Sequence, residues 1–182
     1  MIDESPYRID IIDTAPSFSD YDILIDHAIQ EADGFIIAYS TTDPQSFALI
    51  QQVHNRIINV KGFNWEESSS GLVVIVGTKC DLPQSRAVTL YEAQSKAEDL
   101  KCGYFECSAK LGQGVAAPFM ELVRSLSSNP EEHPKSPSPV ARLSFRNRAR
   151  SILSRRPVRV AITTSDGLSL LDYDTILAGT FE

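Results

Sequence analysis

Three short apolar runs in this sequence close on polar residues of the kind that hold ligands. They are Ile11-Ile12-Asp13-Thr14-Ala15-Pro16, then the run ending Gly77-Thr78-Lys79-Cys80-Asp81-Leu82, and then Glu106-Cys107-Ser108-Ala109-Lys110. Carboxylates, ammonium groups and hydroxyls at such positions supply charge and hydrogen bonds for binding, and none of them is assigned a catalytic role. Cys80, Cys102 and Cys107 cannot all pair, and their spacing fits neither a zinc knuckle nor a CxxC redox site. Free thiols in a reducing compartment are expected, with no metal held by sulfur.

The elements that position these residues follow from the spacing of apolar side chains. Ile9 to Ile12, Phe35 to Tyr39 and Leu72 to Val76 are long enough for buried strands and too short for helices. Between them lie helical patterns: Ile23, Ile25, Ala28 and Ile29, then Phe47, Ile50, Val53, Ile57 and Ile58, opened by Asp43 as a cap with Pro44 at the first helical position. Thr89-Leu-Tyr-Glu92 reads as a capping box that opens another helix. A short strand at Tyr104 to Glu106 and a helix from about Gln113 to Leu126 complete the alternation. Strands alternating with helices predict an α/β fold with a parallel, doubly wound sheet. Such sheets bind ligands in the crevice at the carboxyl ends of their strands, where the three polar endings fall.

In their order and distances the three endings resemble three nucleotide motifs of the Ras-like small GTPase superfamily: DxxG at Asp13, [NT]KxD at Thr78 to Asp81, and SAK at Ser108 to Lys110. The resemblance covers roughly Tyr7 to Leu126. It implies a P-loop NTPase-like (Ras-like) parallel sheet flanked by helices, GTP/GDP and Mg2+ as ligands, and regulatory or effector proteins as partners. By that resemblance Asp81 accepts two hydrogen bonds from guanine, and Lys79 and Lys110 lay their stems on the two faces of the base. The Ala109 N–H meets the guanine oxygen, the Ser108 hydroxyl braces the loop, and Thr78 stands where Asn is commoner. Asp13 would hold magnesium indirectly, through a water; its other reading is an Asp that caps the turn after a strand.

The family's phosphate-binding loop, GxxxxGK[ST], has no match in the 182 residues. The chain is therefore read as an amino-terminally truncated or degenerate member, lacking its first strands and phosphate loop, with the central strand of the sheet missing. The Gly that closes DxxG is replaced by Pro16, which has no N–H to give a phosphate, and the following Gln by Ser17. Little or no GTP hydrolysis is expected. Two readings stay open: a guanine-nucleotide signalling switch represented by an incomplete chain, and a non-catalytic Ras-like protein-interaction module that does not use nucleotide.

Residues 1–127 are read as the partial domain and 128–182 as a Pro/Ser-rich linker followed by a basic, disordered tail. From Lys135 to Arg159 there are eight basic residues and no acidic one, against nine basic and 24 acidic residues elsewhere. The basic stretch has three readings: a solvated tail, a segment that attaches residues 142–159 to an anionic membrane surface, or a nuclear-import or nucleic-acid segment; nucleic acid is not among the expected partners. Val158, Val160 and Ile162 alternate before Ser165-Asp166-Gly167, a pattern compatible with a hairpin. A cytoplasmic protein, at the inner face of the plasma membrane if the basic stretch attaches, is expected, without signal peptide, transmembrane segment or lipidation motif. If the basic stretch attaches electrostatically, vesicles containing phosphatidylserine will sediment the chain at low salt and release it as salt rises, whereas neutral vesicles will not; equal sedimentation with both would remove the membrane reading.

Overall fold

The computed structural model describes residues 8–14, 22–62, 71–128 and 158–164. Along the chain these form β1 (Ile9–Thr14), α1 (Asp22–Glu31), β2 (Gly34–Ser40), α2 (Pro44–Ala48), α3 (Ile50–Lys61), β3 (Val73–Thr78), a 3-10 turn (Pro83–Ser85), α4 (Leu90–Asp99), β4 (Gly103–Glu106), α5 (Ala116–Ser128) and β5 (Val158–Thr164). The five strands make one parallel sheet in the order β1-β5-β2-β3-β4.

β2 is buried at all seven positions, because helices cover both faces of the sheet. Phe35, Ile37 and Tyr39 belong to one core cluster with Ile25, Ile29, Ile50 and Ile57 from α1 and α3. Ile36 and Ala38 belong to the other, with Leu122 of α5 and Val160 and Ile162 of β5. The period-two alternation of a strand thus sorts neighbouring residues into two cores.

Local signals set the helix starts. Asp43 accepts the Gln45 N–H at 2.9 Å with Pro44 at the first position, and Thr89 and Glu92 form the reciprocal capping box. Two boundaries differ from the sequence reading. The single helix expected over Phe47 to Ile58 is divided at Leu49 into α2 and α3. α5 starts at Ala116 rather than near Gln113, because Ser108 and Gln113 pair through their backbones and Gly114 adopts φ 72°.

Val158–Thr164 is not a disordered tail or half of a hairpin; it lies in the middle of the sheet, parallel to β1 on one side and β2 on the other. The place expected to be empty for want of a central strand is filled by a segment from the far end of the sequence. The alternation of Val158, Val160 and Ile162 suggested one buried face, but Ala161 is 1% exposed and Thr163 is 9% exposed, so both faces are covered. Arg159, counted in the basic stretch, is also tied to the sheet: its N–H donates to Asp33 Oδ2 at 3.0 Å and its guanidinium pairs with Glu31. The rest of the assigned linker and tail, including Ser165-Asp166-Gly167, lies outside the described residues.

Ile162 is fully buried between its two neighbours. Ile162→Ala is expected to lower unfolding free energy by about 2–5 kcal/mol, measured by urea denaturation. A change under about 0.5 kcal/mol, the value for an unanchored tail, would place this strand outside the fold in solution.

Candidate functional site

The Thr78–Asp81 segment leaves the end of β3 in a sharp turn. Thr78 Oγ1 donates to the Tyr39 carbonyl at 2.9 Å, and the Thr78 carbonyl accepts the Thr41 N–H at 3.1 Å. Lys79 then takes φ 60°, a left-handed conformation that non-glycine residues seldom adopt. Its carbonyl accepts the Leu82 N–H at 3.1 Å and the Thr41 hydroxyl at 3.3 Å, which closes the turn around half-buried Asp81.

The second segment follows β4. Ser108 is fully buried, exchanges backbone hydrogen bonds with Gln113 at 2.9 and 3.0 Å, and accepts the Leu111 N–H on its hydroxyl at 3.2 Å. The Gly112 N–H donates to the Ala109 carbonyl at 3.2 Å; Ala109 is half-buried and Lys110 is exposed. Two bonds join the segments: the Cys107 N–H donates to the Gly77 carbonyl at 2.9 Å, and the Cys80 N–H donates to the Cys107 carbonyl at 3.2 Å. Thr78, Lys79, Asp81, Ser108, Ala109 and Lys110 are thereby brought to one corner of the sheet.

Asp13 is not part of that corner. It sits at the carboxyl end of β1, exposed, with β5 and β2 between it and β3, three strand spacings or about 14 Å away. Among the described residues no group of three or more His, Cys, Asp or Glu side chains could hold a metal ion. Pro16 and Ser17 lie outside the described residues.

The sequence model of the Ras family matches residues 1–128, which include both segments of the corner. The chain belongs to the Ras family. It is 36% identical over 138 residues to "Ras-related protein Ral-a" of Drosophila melanogaster, covering 76% of this chain and 66% of that relative. It is also 36% identical over 125 residues to "Ras-like protein rasS" of Dictyostelium discoideum, covering 69% and 61%. "Ras-like protein 2" of Drosophila melanogaster is 34% identical over 123 residues, covering 68% and 61%. This Ras-family chain spans just under two thirds of the length of these relatives.

Beneath the corner lies a polar network that motif spacing did not reveal. The Tyr39 and Tyr104 hydroxyls are 3.0 Å apart, the Tyr104 hydroxyl donates to Glu106 Oε1 at 2.8 Å, and Arg86 grips both Glu106 oxygens at 2.8 Å. The Arg86 hydrogen bonds hold the Glu106 carboxyl below its ordinary value, while burial and then the bond to Tyr39 push the Tyr104 phenol up. Burial likewise pushes the Cys107 thiol up to about 11 and raises Cys80, so both stay protonated at neutral pH. Thr41 also escaped the sequence reading, although its carbonyl accepts both the Ala87 and Val88 N–H groups. The one available signal was a polar residue at each strand end.

Gly114 shapes the second segment. A Cβ there would sit 2.6 Å from the Glu106 carbonyl on a backbone with φ 72°, whereas a Cβ at Gly112, φ 64°, meets nothing within 4 Å. Gly114→Ala is expected to cost about 2–4 kcal/mol and Gly112→Ala about 1 kcal/mol in urea denaturation; equal costs would show that the 108–114 turn is not held in this form.

Proposed function

We propose that this Ras-family chain recognises the base of a guanine nucleotide through its Thr78–Asp81 and Ser108–Lys110 segments, as the base-reading part of a small-GTPase switch. The observation that carries the reading is the Cys80-to-Cys107 bond at 3.2 Å, which sets the two segments side by side. In that arrangement the Asp81 carboxylate pairs with the two N–H donors on the edge of guanine, a bidentate contact that adenine cannot return. Lys79 and Lys110 contribute their aliphatic stems to the base faces. The Ala109 N–H addresses the exocyclic oxygen, and Ser108, held from within, fixes where that N–H points.

Phosphates receive less from these residues. The 182 residues contain no GxxxxGK[ST] segment, and Pro16 has no N–H to offer a terminal phosphate. Hydrolysis in this chemistry is positioning and charge stabilisation, so this chain alone is expected to turn over little or no GTP. Pro16 and Ser17 also favour a second reading, a Ras-like module that binds regulatory or effector proteins without nucleotide. Attachment to an anionic membrane surface would draw on Arg142 to Arg156, since Arg159 is engaged in the sheet.

Calorimetric titration of the 182-residue chain with GDP is expected to give a dissociation constant on the order of 1 mM, about 4 kcal/mol of binding, with no comparable binding of ADP and none of GDP to Asp81→Ala. A micromolar or tighter constant would show that the phosphates are held as well. Identical, featureless titrations with GDP and ADP would favour the interaction module.

A further inference from the structure

The turn that carries Lys79 and Asp81 is fastened at its two ends by different means. At the upstream end Gly77 passes so close to the tyrosine pair that a Cβ would lie 2.9 Å from the Tyr39 hydroxyl and 3.1 Å from the Tyr104 hydroxyl. At the downstream end Arg86 leaves the Pro83–Ser85 turn and binds Glu106 through two parallel N–H donors. Its Nη1 also donates to the Val88 carbonyl at 3.3 Å. Glu106 is the last residue of β4, directly before the Cys107 whose carbonyl receives the Cys80 N–H. A single carboxylate thus ties together the Tyr pair under the start of the turn, the arginine at its end, and the strand that launches Ser108–Lys110.

We propose that Arg86 and Glu106, backed by Tyr104 and Tyr39, are positioning residues that hold the Thr78–Leu82 turn in its base-reading form; the proposal rests on the base-recognition reading for its function. Lys79 sits in the left-handed region, and a non-glycine residue persists there only where its surroundings over-determine the backbone. Charge-assisted bidentate bonds of Arg to carboxylate are among the stronger and more directional side-chain contacts, and this pair is about three quarters buried, with side chains 24% and 21% exposed. The residues at the rim of the turn are polar or exposed, with Leu82 41% exposed, so apolar packing does little there to fix it.

Hydrogen exchange of backbone amides separates local positioning from general stability. Arg86→Met and Glu106→Gln are each expected to speed exchange at the Cys80 and Leu82 amides by roughly tenfold while Ile37 and Ile57 keep their rates, and Tyr104→Phe, which removes only the hydroxyl, by roughly threefold. The double variant of Arg86 and Glu106 should do no more than either alone, because both break one unit. GDP affinity, where the parent binds GDP, should fall roughly in step with the exchange change. Unchanged exchange at Cys80 and Leu82 in folded variants, or acceleration spread evenly to Ile37 and Ile57 in Tyr104→Phe, would overturn the proposal. Faster exchange confined to the turn in a chain that binds neither GDP nor ADP would uphold the brace and sink base recognition.

Discussion

Val158–Thr164 is hydrogen-bonded along both of its edges, and the rest of the sheet depends on that double pairing. Without it, β1 and β2 would each present a row of buried N–H and C=O groups, at about 1–3 kcal/mol for each group left unsatisfied. β5 also completes both cores: Ala161 joins the cluster under α1 and α3, while Val160 and Ile162 join the cluster under α5. Thr14 extends the join at the carboxyl end, its hydroxyl donating to the Ile162 carbonyl at 2.9 Å and lying 3.1 Å from the Thr163 hydroxyl.

The corner formed by Thr78–Asp81 and Ser108–Lys110 belongs to the other half of the sheet. Its supports come from the ends of β2, β3 and β4: Tyr39 and Thr41 beneath Thr78 and Lys79, Gly77 opposite Glu106, and Cys107 beside Cys80. The end of β2 is itself held from within, since the Ser40 N–H donates to the Ser46 hydroxyl at 3.0 Å and the Ser40 hydroxyl lies 2.8 Å from that of Thr42. A sheet of this kind supports many chemistries, so the functional reading stands on the corner and its residue types rather than on the architecture.

Much of this was legible in the sequence because the deciding signals are local. Phe35 to Tyr39 is too short for a helix and reads better as a buried strand, Asp43-Pro44 and Thr89 to Glu92 announce helix starts, and the TKCD and SAK segments carry their own spacing. β5 was not legible, because its pairing partners lie more than a hundred residues away and its residue pattern suits an exposed ribbon as well as a buried strand. The Arg86–Glu106 pair was hidden for a related reason: twenty positions separate the two residues, and only the parallel register of β3 and β4 sets Glu106 opposite Gly77. The helix start at Ala116 was missed because a turn with positive φ at Gly114 outweighed the apolar periodicity that runs through Val115.

The position of β5 also bears on how the chain is made. Translation proceeds at about 5–20 residues per second, so Val158, 118 positions after Ser40, is added roughly 6–24 seconds after β2 is complete. Throughout that interval the two strands that will flank β5 have no neighbour to separate them, and parallel pairing across so long a stretch of chain is slow to form. A nascent chain of this protein therefore emerges from the ribosome with open strand edges, the form of surface that chaperones shield and that neighbouring copies on a polysome can join.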